Sequence, residues 1–344
     1  MNFWMRWLDF RALRDLLLLV GRHPLGLRAS ELERLATDER ILLRRDGRPY
    51  ARSIHYHHRR SLERLGLLER RGRRFALNDR SLETNALTAQ TTFREKLEPP
   101  QKEAFANAVL RNEDCQDVFF GSFLRSPASA HNVATFVERA QPVELLTRSG
   151  GIDQDKSHPG SHRPSNVRFH SKHVAIRPAG ATPWRLLEGA NAVQAVHFGL
   201  RAWCVDQLGF LDATCAADGT YTLYPKHIVP QVTDQELAAE MLEAIDFDGE
   251  WATIRIPDYA LATGIRRYVS VDHAKGVLMD WLTDHPDLVA GIPTRVGFIT
   301  DGLTDRQHAL ALKGYLRSHS GAYLSHIRIH RMLRERVQNG VSGP

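Results

Sequence analysis

The chain has few cysteines, and their arrangement excludes the common cysteine-based scaffolds. There are three of them, Cys115, Cys204 and Cys215, and no two form a C-x-x-C pair. An odd number of widely spaced thiols predicts neither a zinc ribbon nor a disulfide framework. Free thiols fit a reducing compartment, and we therefore expect a cytoplasmic location.

The sequence also lacks an uninterrupted apolar run long enough to cross a membrane. The most apolar stretch, Met1 to Val20, is interrupted by three arginines and two aspartates. We interpret it as an amphipathic first helix, not as a signal or membrane segment, and we expect no membrane partner. This tryptophan-rich N-terminal helix, with Trp4 and Trp7, is a candidate for packing against a protein partner or a second copy of the chain.

Motifs of the common catalytic and nucleotide-binding sites are missing as well. The chain contains no G-x-x-x-x-G-K-[ST] phosphate loop, no G-x-G-x-x-G, no H-E-x-x-H and no G-x-S-x-G. We therefore predict a protein that is not an enzyme, with no catalytic residue, no cofactor and no metal site.

Two short patterns keep a nuclease as an alternative. His170-Ser171-Lys172 resembles the H-x-K start of phospholipase D-type nuclease motifs, but Arg177 stands where that family needs an aspartate. The triplet Asp246, Asp248 and Glu250 has the carboxylates that hold Mg²⁺. No lysine follows it at the spacing of a PD-(D/E)xK nuclease, and such an isolated triplet more often marks a solvated turn.

What the sequence has in abundance is arginine, and it is concentrated between Arg40 and Arg74. The net charge of the whole chain is only +6, so this concentration sets up a local basic field. Its centre is the stretch YARSIHYHHRRSLERLGLLERRGRRFAL, residues 50 to 77. The first part of this stretch predicts a helix that ends at Gly66, and the second part predicts two strands joined by a tight turn at Gly72.

A step of 100° per residue divides the predicted helix into two faces. The face expected to meet a core contains Ile54, His58, Ser61, Leu62 and Leu65. The opposite face contains Arg52, Tyr56, Arg59, Arg60 and Glu63, with His55 and His57 on the flanks. We therefore expect a buried His58, and a His55 nearer to solvent. A metal site formed by His55, His57 and His58 is disfavoured, because adjacent residues diverge around a helix.

Two further helices are predicted upstream, at Phe10 to Val20 and from Ala29 to Leu35. Three helices followed by a hairpin resemble the winged helix-turn-helix superfamily over about residues 10 to 79, with RSLERLGLLERRGRRFAL as the most specific part. The resemblance implies a recognition helix in the major groove of DNA and a wing on the neighbouring backbone or minor groove. Arginine, tyrosine and histidine side chains also suit contacts to phosphates and base edges.

On this basis the predicted DNA contacts lie on the third helix and the wing. They are Arg52, His55, Tyr56, Arg59, Arg60, Arg70, Arg71, Arg73 and Arg74. Further phosphate contacts are predicted in an irregular, basic loop between residues 147 and 178. They are Lys156, Arg163, Arg168 and Lys172.

The rest of the chain predicts more units of a similar kind. A helix from Val193 to Leu208 precedes two strands around Asp218-Gly219, and helices at 234–245, 256–263 and after Ser270 precede a wing strand at 294–299. The turn of the second unit and the exposed face of the third are acidic, so neither is expected to touch a duplex. A basic terminal helix is expected to contain Arg328, Arg331, Arg334 and Arg336.

Together these patterns predict a mainly α protein with short β-hairpins, an α+β fold of tandem winged-helix-like domains joined by helical segments. The expected boundaries are 1–79 for the N-terminal winged helix, 80–146 for a helical connector, 147–230 for the basic loop and second unit, 231–300 for the third unit and 301–344 for a basic helical tail.

The function predicted from the sequence is binding of double-stranded DNA, by a transcriptional regulator or by the DNA-engaging subunit of a larger complex. The alternative is a structural subunit whose winged helices dock other proteins, with self-association through the N-terminal helix or the C-terminal units. A nuclease is the third possibility.

Overall fold

The structure is a computed structural model, and it describes residues 8–43, 47–48, 50–89, 92–93, 95–118, 120–124, 130–147, 173–181, 184–188, 195–303 and 305–338. Helices and three small antiparallel sheets make up the fold, which confirms the predicted α+β class. The chain divides into two compact units. Unit 1 comprises residues 1–140 and 187–211, and unit 2 comprises residues 141–186 and 212–344. This division differs from the predicted boundaries, because unit 1 includes a segment from later in the chain.

Unit 1 begins with three helices and a three-stranded sheet, followed by further helices. These elements are α1 Phe10–Gly21, β1 Leu27–Arg28, α2 Ala29–Asp38, α3 Arg52–Arg64, β2 Leu68–Arg71, β3 Arg74–Leu77, α4 Leu82–Thr88, α5 Pro99–Arg111, α6 Glu113–Val118, a 3₁₀ turn Phe120–Ser122, α7 Val133–Arg139 and a π-helix Ala195–Gln207. The three predicted N-terminal helices and the hairpin are thereby confirmed. In the sheet, β3 lies between β1 and β2.

Local chemistry explains where the first elements begin and turn. Asp9 caps α1, because its carboxylate accepts from the backbone N–H groups of Arg11 and Ala12. Gly26 has a φ of +73°, and a Cβ there would lie 2.7 Å from the carbonyl oxygen of Phe75. Only glycine therefore allows the chain to pass this close to β3 before it enters β1.

Residues 80–140 share the core of unit 1 with α1. The ring of Phe10 packs edge-on against Phe105 of α5 and Trp203 of the π-helix, with ring centroids 5.0 and 6.0 Å apart. The segment predicted as a connector therefore contributes side chains to the same core as the N-terminal helices. The thiols of Cys115 and Cys204 are fully buried there, and burial raises the pKa of each.

Unit 2 contains a five-stranded sheet and, after it, a second arrangement of helices and strands. Its elements are β4 Val143–Thr147, β5 His173–Pro178, β6 Arg185–Glu188, β7 Leu211–Cys215, β8 Tyr221–Pro225, α8 Asp234–Glu243, β9 Trp251–Arg255, α9 Ile256–Arg267, α10 Val271–Asp284, β10 Val289–Thr294, α11 Val296–Thr300, α12 Asp305–Lys313, β11 Leu316–Arg317, β12 Tyr323–His330 and α13 Met332–Gln338.

The second predicted winged-helix-like unit differs from the observed structure. The strands β7 and β8 form as expected, but they belong to a five-stranded sheet with the order β6-β5-β4-β8-β7. The helix expected before them is the π-helix of unit 1, whereas most of the hairpin belongs to unit 2. Pairing of β8 with β4 gives the hairpin a sheet to join, a long-range contact that the local pattern does not reveal.

The later part of unit 2 repeats the element order of the N-terminal arrangement. The series α8, β9, α9, α10, β10, β12 matches the series α1, β1, α2, α3, β2, β3. The pairing matches as well, since β12 lies between β9 and β10. The difference is an insertion, residues 295–322, that separates β10 from β12 and contains α11, α12 and β11.

Two sequence predictions in this region are wrong. The wing strand expected at 294–299 ends at Thr294, after a bulge at Pro293, and α11 follows from Val296. The basic terminal helix begins only at Met332, because residues 323–330 form β12. In β12, Ile327 and Ile329 are buried while Arg328 between them is exposed, which is the two-residue period of a strand.

The predicted helices α8 and α10 and the cap of α10 are confirmed. The Ser270 hydroxyl accepts from the His273 backbone N–H at 3.1 Å, and Ala274, Val277, Leu278 and Trp281 are buried. Among the described residues, no helix combines the length and apolar character needed to cross a membrane.

We expect the buried ion pair on α1 to be the most sensitive polar contact in unit 1. The Arg14 guanidinium, fully buried, donates to Asp15 at 2.8 Å and to the Glu95 carbonyl at 2.9 Å. Arg14→Met would remove the cation that pairs with the buried Asp15 carboxylate, so the free energy of unfolding should fall by about 3–5 kcal/mol in urea denaturation. The matched control is Arg11→Met, because Arg11 pairs with Asp9 at the surface; it should cost less than about 1 kcal/mol. Equal decreases in the two variants would contradict the assigned burial.

Candidate nucleic-acid interface

One buried stripe sets the orientation of α3. His55, His58, Leu62 and Leu65 are spaced by three, four and three residues and are at most 8% exposed. The expectation of a buried His58 is confirmed. The expectation of a solvent-facing His55 is wrong, because His55 lies one turn before His58 on the same stripe and is buried with it.

Burial keeps both histidines in their neutral form. The Nδ1 of His58 lies 2.9 Å from the carbonyl oxygen of Ile54, and burial lowers the pKa of His58 to about 4. Burial also lowers the pKa of His55, although the charge of Glu33 opposes the shift. Two of the histidines in this helix therefore act as core residues at neutral pH and add no positive charge to the surface.

The residues opposite this stripe are exposed, except for Arg59 and Glu63, whose side chains are 17% and 20% exposed. Arg52 has a side chain 81% exposed and lies 3.2 Å from Glu33 of α2. Tyr56 is 49% exposed, and the side chain of Arg60 is 47% exposed, 3.6 Å from Glu63. These three side chains point away from the core, as the helical phase predicted.

The predicted outward position of Arg59 is therefore wrong. Its side chain is only 17% exposed, and its guanidinium lies over the ring of Phe75, 4.5 Å from the centroid. The same group lies 5.4 Å from the ring centroid of Tyr56 and 3.6 Å from the Glu63 carboxylate. A cation held against an aromatic face is stabilised there. Arg59 thus connects α3 to β3 instead of extending into solvent.

The hairpin places four arginines around Gly72, and they differ in how far their charges are neutralised. Arg71 pairs with Glu69 and with Asp79, the latter at 3.1 Å, and hydrogen bonds to these carboxylates raise its pKa. Arg74 donates to the carbonyl oxygen of Gly26 at 2.8 Å.

The other two arginines of the hairpin form fewer contacts. The Nε of Arg70 donates to the Gly72 carbonyl oxygen at 2.9 Å. Arg73 is exposed and forms no ion pair within the described part of the chain. The tip of the hairpin therefore offers at least one arginine whose charge is available to an anionic partner.

The charge of the chain is concentrated in this part of unit 1. Between residues 10 and 79 there are seventeen arginines, no lysine and nine carboxylates, while the whole chain carries only +6. Surface pairs with Glu33, Glu63 and Glu69 hold some of these arginines in place. Since exposed ion pairs are worth only about 0–1 kcal/mol, such arginines can exchange a carboxylate for a phosphate at little cost.

A small cleft between α2 and α3 adjoins this surface. It is lined mainly by Leu32, Glu33, Arg52, His55 and Tyr56 and has a volume of about 180 Å³. Small-molecule sites usually measure about 300–1,000 Å³. The cleft is therefore smaller than a typical small-molecule site.

Several predicted residues lie outside the described part of the chain. They are the possible phosphate contacts Lys156, Arg163, Arg168 and Lys172, the H-x-K pattern His170-Ser171-Lys172, and the N-terminal Trp4 and Trp7. The acidic triplet Asp246, Asp248 and Glu250 is described, and it occupies an exposed turn before β9. Over the described ranges, no three His, Cys, Asp or Glu side chains are grouped so as to hold a metal ion.

A complete H-x-K-x₄-D pattern, which the sequence reasoning missed, occurs on α10 as His273, Lys275 and Asp280. On a helix, the first two of these side chains point in different directions. His273 contacts Asp234 of α8 at 2.6 Å, whereas Lys275 donates to the carbonyl oxygen of Tyr315 at 3.3 Å. The pattern is therefore not assembled as a catalytic group.

The helix that corresponds to α3 in unit 2 has the opposite charge. α10 exposes Asp272, Asp280 and Asp284. Partial burial and the charges of Asp284 and Asp234 raise the pKa of Asp280. A surface of this sign repels phosphates, so the two similar arrangements of helices and strands offer a duplex very different electrostatic surfaces.

The buried stripe of α3 predicts a specific pH dependence of stability. Because the pKa of His58 falls from 6.5 to about 4 on folding, the unfolded chain binds more protons between these values. The free energy of unfolding should therefore decrease by about 3 kcal/mol, through this residue alone, as the pH falls from 6.5 to 4. Urea denaturation of wild type and His58→Gln across this range isolates the contribution as a difference.

The control is His57→Gln, because His57 lies on the same helix and is more exposed. This variant should retain the pH dependence of the wild type. If the difference between wild type and His58→Gln stays constant from pH 6.5 to 4, His58 is not buried as the structure places it.

Comparison with protein family models, with curated proteins and with solved structures found no match to this chain. The chemistry of the surface is therefore inferred from the residues that form it, an arginine-rich helix and an arginine-rich hairpin joined by Arg59.

Proposed function

We propose that the chain binds double-stranded DNA through the surface formed by α3 and the β2-β3 hairpin, here called the arginine surface. It is defined by Arg52, Tyr56, Arg60, Arg70, Arg71, Arg73 and Arg74. In this proposal residues 10–79 are a winged helix of the helix-turn-helix superfamily, acting in a transcriptional regulator or in the DNA-engaging subunit of a larger complex.

One observation carries the proposal: the third helix and the hairpin expose arginines while the buried stripe of α3 faces the core. The order α1, β1, α2, α3, β2, β3 and the central position of β3 are those of a winged helix. In such a domain the third helix enters the major groove and the hairpin follows the backbone. Arginine suits both roles, because its guanidinium can bind a guanine edge or a phosphate with two hydrogen bonds.

The structure also suggests a different role for each exposed residue. Arg60 and Tyr56 lie on the outer face of α3, where contacts to base edges are made in this class of domain. Arg73 lies at the tip of the hairpin, where contact with the phosphate backbone is expected. Arg59, held against Phe75, fixes the angle between helix and hairpin.

A scaffold role remains the second candidate, and α10 is the observation that favours it. In unit 2 the helix corresponding to α3 is acidic and is contacted by the insertion between β10 and β12. A winged-helix-like arrangement with such a surface fits protein contacts better than contacts with DNA. The two roles are compatible if unit 1 binds DNA and unit 2 binds a partner protein.

The salt dependence of duplex binding tests the proposal directly. We expect the affinity of the full chain for a fluorescein-labelled duplex of mixed sequence, measured by anisotropy, to fall steeply with salt. The slope of log affinity against log salt should be near −0.9 for each phosphate neutralised. An affinity that is negligible at low salt would favour the scaffold role, and cleavage of the duplex in the presence of Mg²⁺ would favour a nuclease.

Single substitutions locate the binding surface. Arg73→Ala should weaken binding to all duplexes alike and make the salt slope shallower by about one unit, because one phosphate is no longer neutralised. Arg71→Ala should have a smaller effect, since its charge is already neutralised by two carboxylates. Arg60→Ala should relax the preference for a selected site by about 1–3 kcal/mol for each base that the guanidinium recognises.

The matched control is Arg34→Ala. Arg34 is an exposed arginine of α2, its side chain 67% exposed, and pairs with Asp38 in the same helix, so its removal changes the net charge equally without touching the arginine surface. If Arg34→Ala weakens binding as much as Arg73→Ala does, attraction is by overall charge and not by the hairpin.

A further inference from the structure

A groove in unit 2 lies between α10 and the insertion that separates β10 from β12. Its walls are α10 on one side and α12 with the segment around β11 on the other, and its volume is about 550 Å³. This volume falls within the range of about 300–1,000 Å³ that is usual for small-molecule sites. The groove is three times as large as the cleft beside α3.

The lining of the groove divides into an apolar part and a cationic part. Met279, Leu312 and Leu316 supply apolar surface. The ammonium groups of Lys275 and Lys313 lie beside them, and their side chains are only 14% and 18% exposed. Lysines are seldom this enclosed without a specific reason, because an ammonium ion loses hydration on burial.

The ammonium group of Lys313 is held in place by a buried carboxylate. It contacts the carboxylate of Asp212, which is 2% exposed. The same carboxylate accepts from the hydroxyl of Tyr224 at 3.0 Å and from the backbone N–H of Val271 at 2.8 Å. Tyr224 and Val271 fix Asp212, and Asp212 in turn fixes Lys313 at the edge of the groove.

The ammonium groups of Lys275 and Lys313 share a neighbouring carboxylate, that of Asp272. Lys275 donates to the carbonyl oxygen of Tyr315 at 3.3 Å and lies 3.1 Å from the carboxylate of Asp272. The other oxygen of Asp272 lies 3.9 Å from Lys313. Both ammonium groups therefore approach one carboxylate, and that carboxylate is on a side chain 63% exposed to solvent. An exposed side chain of this kind can turn away and leave its position to another anion.

We propose that this groove binds a small amphipathic anion, with its apolar body along Met279 and Leu312 and its anionic head group at Lys275 and Lys313. With Arg317 also lining the groove, three cations face two carboxylates, so the site favours one further negative charge. The proposal concerns unit 2 alone, and it holds whether or not unit 1 binds DNA.

A fluorescent probe tests the proposal on the full chain. The probe is 8-anilinonaphthalene-1-sulfonate, which has an aromatic body and one anionic group, and the comparison is its neutral counterpart, N-phenyl-1-naphthylamine. We expect saturable binding of one sulfonate probe per chain, at least tenfold tighter than the neutral dye. Lys275→Gln keeps a donor for the Tyr315 carbonyl but removes the charge, and it should reduce the preference for the anion about tenfold.

Gly276 allows the groove to be filled without disturbing the core. It lies on α10, lines the groove, and a Cβ there would meet no atom within 4 Å. Gly276→Phe should abolish binding of the sulfonate probe. Gly276→Ala is the matched control, because it leaves the groove open and favours the helix. Arg336→Gln controls for charge, since Arg336 pairs with Asp287 elsewhere in unit 2. Both controls should bind as wild type does.

Three results would overturn the proposal. They are the absence of saturable probe binding, equal affinity for the charged and neutral dyes, and binding by Gly276→Phe that is as tight as that of wild type. Because this dye also binds partly folded chains, each variant must unfold cooperatively in urea with the wild-type slope before its affinity is compared.

Discussion

Burial of a single stripe on α3 is the constraint on which the arginine surface depends. The stripe is short, and two of its four members are histidines, so it holds the helix only as long as His55 and His58 stay neutral. Rotation of α3 by one residue would bury an arginine and expose a leucine. The same packing that stabilises unit 1 therefore decides which arginines are available to a partner, and the stability of the domain and its electrostatic surface cannot be changed independently.

Unit 2 shows how a similar arrangement of helices and strands can present a different chemistry. Its buried carboxylate, Asp212, joins β7 to the start of α10 and to Lys313 at the end of α12. The insertion is thereby held against the helix that corresponds to α3, and the groove between them is a direct result. Where unit 1 offers a basic surface that suits a large polyanion, unit 2 offers an open groove lined by two ammonium groups, those of Lys275 and Lys313.

Local patterns predicted the helices of both arrangements, because each has an apolar stripe at the helical period. They failed where long-range contacts decide. His55 was expected on a flank of α3, but the fold buries it. Arg59 was expected to be exposed, because the helical pattern does not reveal its contact with Phe75 in the strand β3. β12 was not predicted, because residues 295–322 separate it from its pairing partner β10. The two strands therefore do not look like a hairpin in the sequence. The groove was not predictable, because Lys275 and Lys313 approach a common carboxylate, Asp272, only after the insertion has packed against α10.

The most direct test of the central claim is amide hydrogen exchange of the full chain, measured by mass spectrometry with and without a mixed-sequence duplex at low salt. If the arginine surface binds DNA, the duplex should slow exchange in α3, Arg52–Arg64, and in the hairpin from Leu68 to Leu77, and leave α10 unchanged. Protection at β12 or α10 with none at α3 and the hairpin would contradict the claim, because the duplex would then bind a surface other than the arginines of unit 1.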